Sequence, residues 1–281
     1  MKKLLITAII LTFGIVPSAH AFSLGGYTGS VTFDFINYDV GTTYNANTNI
    51  VNGADGQGDS YGIIKNFTII DPNTAQPLWQ SSANESIEGV FYGIDDNNVS
   101  INPDYSGTID SIGGFLDLYL STSNLNPVGG TAPAVPLADL NNPYAAGTDP
   151  WNASDGTLFL RLAFVPGASI VDPTSTYHQT IDSMANPVRG EGSGYLMVVG
   201  GQYASMFDSN QFDSFSSGAD FYFSNDFDAR GLTPAQIAAG WLVFSDGKAL
   251  GYAVPEPATM ALLGSGLFGL VGAAIRKKKL A

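Results

Sequence analysis

His178 is the one histidine beyond residue 21, and Asp172 and Asp182 lie near it in sequence. A histidine beside a carboxylate is the pairing that activates a serine nucleophile. No Gly-x-Ser-x-Gly elbow accompanies it, and Pro173-Thr174-Ser175-Thr176-Tyr177 reads as a loop. The expectation is a surface histidine. Paired carboxylates cleave glycosidic bonds in other proteins. Here Glu85, Glu88 and Glu191 stand in no recognisable catalytic context. The chain is therefore expected not to be an enzyme, and a secreted hydrolase ranks third among its readings.

Two acidic clusters suggest different chemistry. Asp55 and Asp59 are spaced four apart among glycines, and Asp95-Asp96-Asn97-Asn98 sets four oxygen-bearing side chains in a row. Calcium takes carboxylate and carbonyl oxygens on pliant backbone. Neither cluster matches an EF-hand loop, and Asx-turns account for both. The leading expectation is no cofactor, with Asp55, Asp59, Asp95 and Asp96 as the calcium candidates. Trp79, Trp151, Tyr144 and the stretch 203–207 offer aromatic faces that could stack on sugar rings.

Charge narrows the partners. The 281 residues carry a net charge of −14. Of the 25 acidic residues, all but Glu256 fall within 22–253, where Lys65, Arg161, Arg189, Arg230 and Lys248 are the only cations. That balance excludes nucleic acid, whose phosphates need basic side chains. There is no cysteine. Disulfides, thiolate metal sites and cysteine nucleophiles are thereby excluded, so stability must come from an apolar core.

Elements follow from periodicity. Thr28 to Tyr38 alternates as a half-buried strand, with Val31, Phe33 and Phe35 on one face. Further strands are expected over 61–70, 86–94, 107–120, 157–165, 194–199 and 219–227. Asp95-Asp96-Asn97-Asn98 is expected to end the strand over 86–94. Thr233-Pro234 opens the one clear helix and Gly240 closes it. Trp241 to Phe244 and Ala249 to Val254 are expected to form a hairpin around Ser245-Asp246-Gly247. Pro127, Pro133, Pro136, Pro143 and Pro150 mark 125–156 as a long loop or linker. The expected fold is mainly β: an antiparallel β-sandwich, jelly-roll-like, with one short helix and a C-terminal transmembrane helix. One exported β-rich domain over 22–253 is the first choice, and two β domains split at 125–156 the alternative.

Both ends read as addresses. Lys2 and Lys3 precede an apolar run from Leu4 to Val16, and Ala19-His20-Ala21 has the small-x-small pattern of a cleavage site. Residues 1–21 are thus a signal peptide, with Phe22 starting the mature chain and the Sec translocon and signal peptidase as partners. At the other end, Pro255-Glu256-Pro257 precedes an uncharged apolar run over 258–275, followed by Arg276, Lys277, Lys278 and Lys279. Such a run is about 27 Å long as a helix, enough to cross a bilayer. The cations after it stay on the cytoplasmic side.

In this order and spacing, residues 254–281 resemble the PEP-CTERM sorting signal. The resemblance implies processing near Pro255-Glu256-Pro257 by exosortase, an envelope with an outer membrane, and association with exopolysaccharide. The expected course is an inner-membrane-anchored precursor and then the cell surface or extracellular matrix. The expected role is structural, in an exopolysaccharide, biofilm or floc matrix. The alternative is an extracellular glycan-binding module, assisted by calcium.

Overall fold

Alternation of period two sets the strands. In β1 (Gly29–Gly41), Val31, Phe33 and Phe35 are buried while Thr32 and Asp34 are half-exposed. The computed structural model describes residues 22–41, 60–82, 84–122, 126, 156–183 and 189–255. The other strands are β2 (Ser60–Asp71), β3 (Gln76–Gln80), β4 (Ser86–Ile101), β5 (Gly107–Ser121), β6 (Thr157–Val165), β7 (Tyr177–Ser183), β8 (Arg189–Gly200), β9 (Phe221–Asp228) and β10 (Val243–Ala253). Two short helices, α1 (Ala204–Phe207) and α2 (Pro234–Ala238), lie between them.

The strands pair in the order β1-β10-β9-β8-β6-β5-β4-β2, and β2 pairs again with β1. Every pairing is antiparallel. The wall is a closed barrel with eight strand positions in up-and-down order. This corrects the expected β-sandwich and its jelly-roll topology. A sandwich keeps two separate sheets with edges. Here the first and last strands join from Gly29↔Ala253 to Asp39↔Val243, and β1 also pairs with β2, so the eight strand positions close on themselves.

Two wall positions are each shared by two strands. β3 and β4 lie in line along β2, against Thr68–Asp71 and Ser60–Ile64 respectively. β6 and β7 run in line between β5 and β8, interrupted by an excursion at 166–176. Strands on either side of 125–156 belong to this one ring.

Large rings fill the interior, and inward glycines make room for them. A Cβ on Gly251 would lie 2.3 Å from the Phe221 ring, and one on Gly247 would lie 2.5 Å from Phe35. One mouth is plugged by apolar residues. Phe22 is buried, with its ring 4.7 Å edge-on from Phe159 and 5.1 Å from Tyr203. Met206 and Phe207 of α1 join it. Asp220 holds this plug to the wall: its carboxylate accepts from the backbone N–H of Val198 (2.7 Å), Ser209 (2.6 Å) and Asn210 (2.7 Å). Burial raises the Asp220 pKa, and the three N–H donors oppose that rise.

The outer wall carries a second apolar cluster. Tyr38, Tyr61, Ile63, Val90 and Tyr92 are packed with Ala239 and Trp241 from the segment around α2. Thr233 and Gln236 form a reciprocal capping box, and Gln236 Nε2 donates to Tyr38 Oη at 2.9 Å.

Local expectations also need correction. The hairpin at 241–254 is a single strand, β10, because Ser245 and Gly247 face inward rather than turn. β4 does not end at Asp95 but runs on to Ile101. His178 lies on β7 rather than in a loop. The expected transmembrane helix finds no support: no helix among the described residues is long and apolar enough to cross a membrane, and 258–275 lies outside them.

Removing the Phe22 ring should open the plugged mouth. Phe22→Ala is expected to lower unfolding free energy by about 3 kcal/mol, as for other buried Phe→Ala changes, measured by urea denaturation. A loss below about 0.5 kcal/mol would show that the plug does not support the barrel.

Candidate functional site

Outward residues of four adjacent strands, with Gly192 and Asn225 between them, line a groove of about 430 Å³. β7 supplies His178 and Thr180, and β8 supplies Glu191 and Ser193. β9 supplies Tyr222, Ser224 and Asp226, and β10 supplies Asp246 and Lys248. Register places Glu191, Asp226 and Asp246 directly opposite one another on three neighbouring strands. Like charges in adjacent cross-strand positions are destabilising. A fold gains nothing by assembling such a row for its own stability. Lys248, one position along β10 on the same outer face, is the one cation in the lining.

The next row joins Asp110, His178, Ser193, Ser224 and Lys248. His178 Nδ1 lies 2.6 Å from Asp110 Oδ1, and Asp110 is buried. These are the residue types of a hydrolytic triad. The row lies within paired strands, however, where backbone N–H groups are committed to the ladder and supply no oxyanion hole. What the row offers is a fixed imidazole and two hydroxyls. Tyr222 is partly exposed beside it, 5.5 Å from the Tyr195 ring, and Phe215 stacks on Tyr195 at 6.0 Å with 68% of its surface exposed. The groove thus has carboxylates, hydroxyls and an aromatic shelf at one end.

Elsewhere on the wall, Asp117 is fully buried and receives two hydrogen bonds from Arg161, Nε to Oδ1 at 2.8 Å and NH2 to Oδ2 at 2.6 Å. The Asp117 hydrogen bond raises the Arg161 pKa further. This is a satisfied structural pair.

Inside the barrel, at the end away from the plug, sits a polar layer. Asn37 and Asp39 are successive inward residues of β1, and Ser245 lies opposite Asn37. Tyr177 Oη donates to Asn225 Oδ1 at 2.7 Å, and Ser111 Oγ to Asp96 Oδ1 at 2.8 Å. Burial pushes the Asp39 carboxyl up to about 8, and the nearby Asp96 charge adds to the rise.

The sequence candidates fall in separate places. Asp95 and Asp96 are adjacent on a strand and so point to opposite faces, with only Asp96 in the polar layer. Asp55, Asp59, Ala19, Ala21, Glu256, Pro257, Arg276, Lys277, Lys278, Lys279, Tyr144 and Trp151 lie outside the described residues. Phe22 is in the plug, and Pro255 is exposed just past β10. Trp79 packs on Phe22 and donates to Glu85 Oε1 at 3.1 Å, while Tyr203 and Phe207 serve the core. Sequence reasoning missed the Glu191–Asp226–Asp246 row, since its members are distant in sequence. The period of β9, with Tyr222, Ser224 and Asp226 alternating against Phe221, Phe223 and Phe227, was the available signal.

The Asp39 shift has a definite sign. The folded state holds this proton from about pH 8 down, the unfolded chain only from 3.8 down. The folded state therefore binds more protons between those values, and stability falls as pH rises through that window. In the presence of chelator, unfolding free energy should decline by up to about 1.4 kcal/mol per pH unit there. Asp39→Asn should flatten the decline in urea midpoints. An equally steep fall in the variant would remove Asp39 as the cause.

Comparison with known proteins bears on the tail. No curated protein and no solved structure is significantly similar to the chain. Residues 253–278 match the family described as the PEP-CTERM protein-sorting motif, so the chain carries the sorting signal of an exported exosortase substrate.

Proposed function

We propose that this is a cell-surface or extracellular-matrix protein that holds exopolysaccharide along its acidic groove. Sorting by exosortase brings it to the outside of the cell, where polysaccharide is the abundant polymer. The observation that carries the binding assignment is the juxtaposition of the Glu191–Asp226–Asp246 row with Tyr222 in one groove. Carboxylates and hydroxyls accept and donate to sugar hydroxyl groups, and an aromatic face packs on the apolar face of a pyranose ring. Strand-borne side chains hold these groups in fixed order without an induced change.

The net negative charge shapes the partner. A neutral or amino-bearing polysaccharide fits the carboxylate row, whereas a polyanionic one would be repelled at low salt. The protein is best understood as a rigid cross-linking or coating element of the matrix, with the sorting tail setting its location and the barrel its contact with glycan.

Two outcomes test this reading. Tyr222→Ala combined with Asp226→Asn should weaken retardation in gels containing the native exopolysaccharide at least tenfold, with circular dichroism unchanged. Equal retardation of variant and wild type removes the groove as the glycan site. Replacing Pro255-Glu256-Pro257 by three alanines should abolish C-terminal processing, read as an intact mass that retains the tail. A normally shortened product would show that the motif is not what the enzyme reads.

A further inference from the structure

The polar layer inside the barrel is enclosed by apolar residues above and below. Toward the plug lie Phe35, Ile94, Phe164 and Phe223 of the main core. Toward the other mouth, Ile109, Ile181, Phe227 and Val243 form a separate buried cluster. Between them the wall contributes oxygen-bearing side chains from several strands. Asn37 and Asp39 come from β1, Ser245 from β10, Asn225 from β9, Tyr177 from β7, Ser111 from β5 and Asp96 from β4. Gly192 takes the place on β8, where a Cβ would lie 2.0 Å from Tyr177 Oη. Even here the wall leaves no room for another side chain, only for what the oxygens can surround.

This layer lacks positive charge. Among the described residues, Arg161 is bound to Asp117 on the outside, Lys248 lines the outer groove, and Lys65 interacts with Glu88. Arg189 and Arg230 are exposed. Two carboxylates thus face a closed interior with no cationic side chain among them. Two neighbouring oxygens also lack partners: Asn37 Oδ1, on a residue 4% exposed, and Ser245 Oγ, on a residue 1% exposed. Asp39 Oδ1 is a third such buried oxygen. Buried oxygens without donors are costly, and native proteins satisfy them with a partner, ordered water or an ion.

We infer that the barrel encloses a calcium ion held by the Asp39 and Asp96 carboxylates, Asn37 Oδ1 and Ser245 Oγ. All four are hard oxygen donors, the set calcium prefers, and none is a nitrogen or sulfur that would select a transition metal. Magnesium keeps its waters and suits a wet site, whereas this layer is walled off by apolar side chains. Chains exported through the Sec route fold after crossing the membrane, so the ion enters while the barrel closes. Once closed, the two apolar layers bar exchange. Calcium is then a structural part of the barrel, separate from the outer groove and independent of what that groove binds.

The experiment uses the full-length chain refolded from urea after stripping with EDTA. Refolding in calcium should give one tightly held calcium per chain by elemental analysis. The thermal midpoint should lie about 5–10 °C above that of the protein refolded in EDTA. EDTA added to the folded protein should leave the ion in place for hours, and removal should require unfolding. Asp39→Asn should lose both the bound ion and the calcium-dependent shift. Ser245→Ala, a smaller change in the same layer, should keep the fold and weaken retention at least tenfold. Glu191→Gln with Asp226→Asn should retain the ion. No bound calcium and no shift in the wild type would overturn the inference and leave water in the layer. So would rapid loss to EDTA from folded protein, or loss of the ion only in the groove variant, either of which places calcium on the outer acidic row.

Discussion

The unbroken pairing of β1 with β10 is the constraint on which the rest of this structure depends. It runs from Gly29↔Ala253 to Asp39↔Val243, and it closes a sheet that would otherwise expose two edges. Closure gives the chain an inside. Phe33 and Phe35 of β1 then meet Phe207, Phe221 and Phe223 at ring distances of 5.1, 4.8 and 6.3 Å. It also aligns Asn37 with Ser245, and so builds the polar layer. On the outer side the register of β10 with β9 sets Asp246 beside Asp226. One ladder thus determines core, interior polar groups and surface row together. A slip of one residue would exchange inner and outer faces of β10 and undo all three.

Much of this was legible locally and little of it globally. β1, β6 and the first half of β4 were readable because their buried positions hold large apolar residues at the right spacing. β8 was readable only in its second half. Its first half presents Gly190, Gly192 and Gly194 to the interior, where rings from Phe227, Tyr177 and Phe164 occupy the space beside them. Such a stretch has no hydrophobic period, since its neighbours fill its place. Ser245-Asp246-Gly247 looked like a turn for the same reason: Gly247 is small because Phe35 is large. Sandwich and barrel share the alternation of one buried face, so the choice between them rests on whether distant strands meet. Nothing in a period of two reports that. The helix start at Thr233-Pro234 is the opposite case, a local device visible in sequence; there the structure adds a capping box with Gln236.

The two candidate sites were hidden by the same non-locality. Glu191, Asp226 and Asp246 become a row only through the β8–β9 and β9–β10 registers. Adjacent Asp95 and Asp96 looked like a cluster, but strand geometry sends them to opposite faces. Closeness in sequence was therefore misleading for carboxylates, whereas closeness in register is informative. The sorting motif was legible because its signal is linear, carried by the order of residues alone.

The tail and the plug also share one place on the barrel. Val254 N–H donates to Met206 O at 2.8 Å, and Met206 packs in the cluster that contains Phe22. The chain thus leaves β10 at the mouth where it enters through Phe22, and the sorting motif begins at residue 253, within the closing strand. No spacer separates the ladder from the motif. A processing enzyme that engages Pro255 meets the plugged mouth at once, and the opposite mouth is directed away from it. The acidic row lies toward that far half, level with Ile36 on β1 rather than with Val31. The surface proposed for glycan therefore stays clear while the tail is held, so sorting and binding need not compete for the same side of the molecule.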